Sequence, residues 1–449
     1  MPYHLDPKVI ERTLERVKKD EVRFVNLQFT DIIGHTKSVT LPVEQLEDSL
    51  NYGTWFDGSS IEGFARIAES DMFLVPDPKT YAVVPWEQTS GRVARFLCYE
   101  YEPDGEPIKG SPRWALRNAM DRAAELGYVM NTGPELEFFL FKRDGSGLSP
   151  SPHDEGGYFD YSTDLATGVR NEMIDALSAF GIRVETSHHE VALGQHEIDF
   201  QYSDALTTAD NAVTFRYALK AVAQQHGLYA TFMPKPIFGI NGSGMHVHQS
   251  LFTLEGKNAF HDSNDKMGLS KIARQYIAGQ LAHAREFCSV TSPLVNSYKR
   301  LVPGYEAPVY ISWGSRNRSA LVRIPRINPA KPQATRIELR CPDPSANPYL
   351  AFAVMLEAGL DGIRKKMELG AEVEESLYEL GPAARAERGI ETLPGSLGQA
   401  IAETEKSDIV RKALGDLLFG RFIESRKQEW EEYKLHVTEW EVERYLPLF

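Results

Sequence analysis

The sequence predicts an α+β protein in two parts, a small α+β domain over 1–102 and a larger domain over 108–449. Three observations carry this. The stretch Tyr101–Pro112 is rich in Pro, Gly and charge, which marks a boundary. Strand-like runs dominate before it, whereas helical and strand-like patterns alternate after it. Charged or metal-binding side chains also recur two residues apart inside apolar, strand-like sequence: Glu135-Leu136-Glu137, His246-Val247-His248, Glu338-Leu339-Arg340 and, more loosely, Glu190 and Glu197. In a strand, residues i and i+2 share a face. One curved, largely antiparallel sheet must gather these groups, with helices covering its outer face.

In chain order, residues 7–19 have helical spacing, with Val9, Ile10, Leu14 and Val17 on one stripe. Glu21 to Leu41 reads as two strands joined by the turn Asp31-Ile32-Ile33-Gly34. Shorter strands follow at Met72–Val75, Ala82–Pro85 and Val93–Tyr101. In the larger part, Arg113–Leu126 is an amphipathic helix ended by Gly127. The Glu135 strand comes next, then a Gly/Ser/Pro-rich loop at 142–157 and a helix near 168–180. Strands near 183–190 and 196–202 carry Glu190 and Glu197. A helix over 207–226 precedes the His246 strand, the segment 296–326 reads as loop-rich, and Pro348–Leu369 and Leu414–Glu431 read as helices.

A single Glu-x-Glu or His-x-His is more often a solvent-facing edge than a metal site, and a Glu-x-Arg pair can be a surface ion pair of little value. Four in one chain weaken that reading. The neighbouring Phe138-Phe139-Leu140-Phe141 calls for burial, and burying unpartnered carboxylates is prohibitively costly. A positive group must sit among them. A carboxylate-rich set with imidazole suits Mg²⁺ or Mn²⁺ better than zinc. Gly133-Pro134 and Asn241-Gly242-Ser243-Gly244 flank two of the pairs and allow close backbone approach to a ligand.

Arg300, Arg318, Arg323, Arg336 and Arg340 crowd a short stretch. Guanidinium recognises carboxylate and phosphate. Beside a carboxylate metal cage, the cluster points to phosphoryl transfer. No Walker A or kinase-type glycine loop is present, and no Gly-x-Ser-x-Gly elbow supports a hydrolase. The 449 residues are 42% hydrophobic and 25% charged, with a net charge of −14. That balance argues against nucleic acid as a partner. No apolar run approaches the roughly 20 residues of a membrane span. Three scattered cysteines, Cys98, Cys288 and Cys341, read as reduced thiols of a cytoplasmic protein.

The motifs resemble those of type I bacterial glutamine synthetases over essentially the whole chain. They are Phe56-Asp57-Gly58-Ser59-Ser60, Lys235-Pro236 with Asn241 to His248, Asn296 to Pro308, and Arg336-Ile337-Glu338-Leu339-Arg340, in order and spacing. The resemblance implies an N-terminal β-grasp domain and a C-terminal catalytic domain. It also implies a homo-oligomer of two hexameric rings, a dodecamer, with each active site between neighbours. The implied reaction joins L-glutamate and ammonia with ATP through γ-glutamyl phosphate. Two or more Mg²⁺ or Mn²⁺ ions are implied, one at Glu137, Glu190 and Glu197, another at Glu135, His246 and Glu338.

Residue by residue, Arg300 and Arg340 match the glutamate-binding arginines, with Asn241, Gly242 and His246 beside them, and Arg318 matches the residue facing the transferring phosphoryl group. Tyr202, His248, Ser250, Arg323 and Arg336 match nucleotide-side positions. Asp57 and Ser60 from a neighbour, with Tyr158, Glu190 and Glu306, match the ammonium pocket; Asp57 is the base and Glu306 lies on a flap. Gln333 stands where some members have a lysine, and the loop between Glu137 and Gly156 is short. Tyr378 matches a modified tyrosine, but with a different downstream flank. The chain thus resembles the feedback-regulated, non-adenylylated subgroup, whose regulatory arginine Arg66 matches. Two other readings compete. A sister ligase for a polyamine or other amine would alter the ammonium pocket, and a non-catalytic member would have damaged metal ligands.

Overall fold

The structure, a computed structural model, describes residues 5–58, 71–86, 91–144, 147–304, 307–328 and 330–449. Ser60, Arg66 and Glu306 lie outside them.

Helix α1 (Pro7–Lys19) starts at Asp6, whose carboxylate accepts from the Lys8 N–H, and buries Ile10, Thr13 and Val17. It is followed by β1 (Val22–Thr30), β2 (Thr36–Pro42), α2 (Leu46–Tyr52), β3 (Thr54–Asp57), β4 (Asp71–Pro76), β5 (Ala82–Val83) and β6 (Arg92–Tyr101). The sheet order is β2-β1-β6-β4-β3, with β5 also on β6. Among the described strands of this sheet, only β1 and β6 run parallel. Gly34 turns the β1–β2 hairpin at φ +88°. The expected helix and strands are present. The α2–β3 unit was not expected.

The larger part is built on β7 (Tyr128–Asp144), after α3 (Pro112–Glu125). Then come β8 (Gly147–Pro152), α4 (Thr167–Ala179), β9 (Val184–His189), β10 (Gln195–Phe200), β11 (Ser203–Asp204), α5 (Ala205–Gln225), β12 (Leu228–Thr231) and β13 (Met245–Thr253). Helices α6 (Lys271–Ala282), α7 (Ala284–Thr291) and α8 (Ser297–Arg300) lead to β14 (Tyr310–Gly314), β15 (Ala320–Arg323) and β16 (Ile337–Leu339). Beyond them lie α9 (Pro348–Arg364), α10 (Pro382–Glu387), α11 (Leu397–Thr404), α12 (Asp408–Leu414), α13 (Asp416–Lys434) and α14 (Glu439–Tyr445). The sheet order is β14-β15-β16-β13-β7-β10-β9, with β8, β11 and β12 also on β7. All its pairs except β14–β15 are antiparallel.

One expectation is corrected here. The stretch 142–157 is not simply a loop, because β7 runs on to Asp144 and β8 pairs back on it, Asp144 opposite Gly147. Prolines are tolerated there because β8 pairs only with β7. The segment 296–326 likewise holds α8, β14 and β15.

One large core joins α3, α5, α6 and α9 to the sheet's covered face. Helix α9 is buried from Pro348 to Gly362. Buried polar contacts tie the two parts together. Arg113 reaches Asp77 at 2.9 Å and Asp210 at 2.7 Å, and the Tyr349 hydroxyl donates to Asp210 at 2.7 Å. The Asn347 side-chain amide donates to the Asp31 carbonyl at 3.0 Å. Arg113 thus pairs with Asp77 across the junction as well as with Asp210 in its own part.

Candidate active site

Residues directly opposite in a ladder share a face, so pairing lines the chemistry up in rungs. One rung runs Thr186–Asp199–Glu135–His246 across β9, β10, β7 and β13. The next is His188–Glu197–Glu137 across β9, β10 and β7. A third is Arg323–Glu338–His248 across β15, β16 and β13. Glu190 lies just past β9, pinned where its N–H meets the Gln195 carbonyl at 2.7 Å.

Two clusters result. Glu135, His246 and Glu338 each offer a donor atom within 4.8 Å of the others, and His188, Glu190 and Glu197 do the same. Glu135, Glu197 and Asp199 form a third such group that shares members with both. Glu137 is turned differently. Its Oε2 accepts from the Gly244 N–H at 2.9 Å and from Gln195 at 3.0 Å.

The electrostatics call for cations. Burial pushes the Glu137 carboxyl up to about 8, with Glu190 adding repulsion. Burial also raises Glu197 far above the carboxylate range, and Glu137 raises it further. In the other cluster, burial would raise Glu135, but hydrogen bonds to His246 and His248 outweigh it and hold it well below the usual range. The His248 Nε2 lies 2.6 Å from Glu135, and the His246 Nδ1 lies 3.4 Å from it. Glu338 is held down too: burial opposes, but His246, His248 and Arg340 prevail. Carboxylates and imidazoles this close suit divalent cations, whose positive charge would offset the repulsion in the raised pair.

Beside the clusters, Glu137, Glu190, Asn241, Gly242, His246, Arg300 and Arg340 line a recess of about 40 Å³. Arg300 is buried and pinned by carbonyls, donating to Cys341 at 2.9 Å and to Pro342 and Arg340 at 3.3 Å. Close approach explains two glycines. A Cβ on Gly242 would stand 2.2 Å from the Pro234 carbonyl oxygen, and one on Gly244 2.5 Å from the Arg300 guanidinium. Arg340 donates to Glu338 at 3.1 Å and to the Arg318 carbonyl, and the Arg318 residue is exposed. Tyr158 stacks on Phe159 at 3.9 Å and packs edge-on to His188 at 5.6 Å.

On the other side of Glu135, a cavity of about 440 Å³ is lined by Tyr202, His248, Arg336 and Gln333 among others. Arg336 donates to His248 at 3.2 Å. Ser250 lies two residues past His248 on β13, whereas Arg323 turns to Glu338 at 2.7 Å. Lys331 lines the same cavity near Gln333 and so offers a positive charge there. Asp57 is exposed on β3 of the small sheet.

Sequence reasoning missed His188, Asp199 and Lys331. The first two had a signal, since His188-His189-Glu190 and Glu197-Ile198-Asp199 repeat the two-residue spacing. Gln195, which holds Glu137, had none.

The chain matches two family models, "Glutamine synthetase, beta-Grasp domain" over residues 21–103 and "Glutamine synthetase, catalytic domain" over 109–445. It is 52% identical over 438 residues to a glutamine synthetase of Clostridium saccharobutylicum, covering 97% of this chain and 98% of that one. A glutamine synthetase of Methanosarcina mazei is 52% identical over 441 residues, 98% of each chain. Among solved structures, a GmaS/ADP complex superposes with a TM-score of 0.87 at 33% identity, covering 97% of this chain and 99% of that one. On these matches, with a β-grasp domain followed by a catalytic domain, the chain belongs to the glutamine synthetase family.

Proposed function

We propose that this chain is a glutamate–ammonia ligase, making L-glutamine, ADP and phosphate from L-glutamate, ammonium and ATP. The observation that carries it is the pair of carboxylate–imidazole clusters adjoining a recess walled by Arg300 and Arg340. In this reading the two arginines orient the glutamate carboxylates, Arg300 from a fixed position, with Asn241, Gly242 and His246 completing the wall. The glutamate γ-carboxylate oxygen attacks the terminal phosphorus of ATP, and ADP leaves. Arg318 neutralises the transferring group. The nucleotide lies in the cavity of Tyr202, His248 and Arg336, near Ser250 and Arg323, where Lys331 supplies the positive charge that Gln333 does not. Divalent cations, when bound, neutralise phosphate oxygens and the charge that develops during transfer. Glu135, His246 and Glu338 would hold one, and Glu137, Glu190 and Glu197 surround the other.

Asp57 removes a proton from ammonium, and the freed ammonia attacks the acyl phosphate carbon; the acyl C–O bond breaks, phosphate leaves, and the nitrogen loses a proton to give the amide. Tyr158, Ser60 and Glu190 wall that pocket, and Glu306 on its flap keeps water out. Asp57 comes from a neighbouring copy. The exposed edge strand β3, with Trp55 52% and nearby Tyr52 62% exposed, supports that contact. We extend the reading to a dodecamer of two hexameric rings, to the feedback-regulated bacterial type with Arg66 as its regulatory residue, to use of Mg²⁺ or Mn²⁺, and to domains over 1–102 and 108–449. Three buried free cysteines support a cytoplasmic setting. No helix among the described residues is long and apolar enough to cross a membrane.

Turnover with ammonium, methylamine and a polyamine, measured side by side, tests the proposal. Glutamine formation from ammonium at a kcat/KM at least tenfold above either amine is expected. A preferred amine would make the chain an amine ligase of the same fold, and no ATP- and glutamate-dependent turnover at all would overturn both.

A further inference from the structure

His188 has no role in the reading above, yet the ladder places it directly opposite Glu197, on the face that carries the ligand carboxylates. Its side chain is 19% exposed, and its surroundings fix it. The Phe159 and Tyr158 rings pack on it at 4.8 Å and 5.6 Å, inclined by 79° and 84°. Its Nδ1 lies 3.2 Å from the His189 carbonyl oxygen. A carbonyl oxygen only accepts, so Nδ1 carries a proton, and in the neutral ring the lone pair is then at Nε2. A ligating imidazole needs this arrangement, with one nitrogen anchored by the backbone and the other free to donate.

The distances point the same way. Nε2 stands 3.8 Å from the Glu197 Oε2, too long for a hydrogen bond, and His188, Glu190 and Glu197 each offer a donor atom within 4.8 Å of the others. Donor atoms sharing one ion at about 2.0–2.2 Å lie roughly 3–4.4 Å apart. Glu137, by contrast, has one oxygen committed to Gly244 and Gln195.

We propose that His188 is a protein donor, through Nε2, to the divalent ion held by Glu190 and Glu197. This rests on the two-cation reading given above. Each ion then has one imidazole, His188 for one and His246 for the other. Nitrogen donors favour Mn²⁺ over Mg²⁺, so the site's metal preference follows from His188 as well as from its carboxylates. The ring also links the ion to the Tyr158 loop.

Pulsed EPR of the Mn²⁺-loaded protein reads imidazole nitrogen directly. The His246→Gln variant should keep ¹⁴N modulation from His188, whether one or two Mn²⁺ remain. The His188→Gln/His246→Gln pair should lose it. His188→Gln alone should bind Mn²⁺ about tenfold more weakly, with unchanged circular dichroism and assembly size. Loss of all ¹⁴N modulation in His246→Gln that still binds Mn²⁺ would overturn the assignment, as would its persistence in the double variant. A wild-type protein that binds no Mn²⁺ would bring down the two-cation reading itself, and this assignment with it.

Discussion

Glu137 is the residue whose environment has the plainest thermodynamic consequence. Its carboxyl is raised to about 8 by burial and by Glu190, against roughly 4.3 in an unfolded chain. A carboxyl raised in the fold contributes stability that is complete below the unfolded value and lost as pH rises through the folded one. Metal-free protein should therefore lose thermal stability between about pH 5 and pH 8, and Mn²⁺ should restore most of it at pH 8. Glu135 and Glu338 are shifted down and act in the opposite sense, losing stability only in acid. Melting curves across this range with chelator and with Mn²⁺ check the point; parallel slopes under both conditions would contradict it. Arg66 gives a second residue-scale prediction. It bears no charge the chemistry needs, so Arg66→Ala should turn over at a near-normal rate while glutamine inhibits it much less. Wild-type inhibition in steady-state assays, or lost turnover, would count against a regulatory role. Cluster members such as Glu135 and His246 were legible because strand spacing exposes same-face pairs. His188 was passed over although His188-His189-Glu190 keeps the two-residue spacing, because Glu190 lies one residue beyond the end of β9.

Among the elements, α6 and α9 show what periodicity cannot see. Helix α9 was legible from Pro348 and the long apolar run after it, although it ends at Arg364 and not at the expected Leu369. Helix α6 buries Ala273, Gln275, Tyr276, Ile277, Ala278, Gly279 and Gln280, which gives no single apolar stripe, and Gly279 reads as a breaker. The glycine is there for packing. A Cβ on it would meet the Ala358 carbonyl oxygen at 2.2 Å, and one on Gly362 would meet that of Gln275 at 2.1 Å. The two backbones touch, so Gly362→Ala should destabilise the fold by ~1–3 kcal/mol through forced separation. A urea-denaturation midpoint equal to wild type would contradict that close approach. Strand β8 was lost to its Ser and Pro content, which edge pairing tolerates.

At the scale of the whole molecule, the small sheet and the metal-binding face belong to different parts of the chain. Asp57 lies on β3, and every carboxylate of the clusters lies on the large sheet or its connections. If neighbouring copies complete each site, an Asp57→Ala chain mixed with a Glu338→Ala chain should regain activity that neither has alone, since some interfaces then unite two intact halves. Mixed assemblies, verified by native mass spectrometry, that stay inactive would argue for a site within one chain. The two-part architecture and the gathering of the pairs on one sheet were legible because apolar strands carrying charge leave few other arrangements. What packs on the exposed edge strand β3 was not, because nothing in one chain's alternation says what covers such an edge. The most direct test of the ligation chemistry follows one oxygen atom. Glutamate labelled with ¹⁸O in its γ-carboxylate, turned over with ATP and ammonium, should deliver one labelled oxygen to inorganic phosphate per glutamine formed, and none to ADP. Unlabelled phosphate, or label appearing in AMP, would contradict a γ-glutamyl phosphate formed on this sheet.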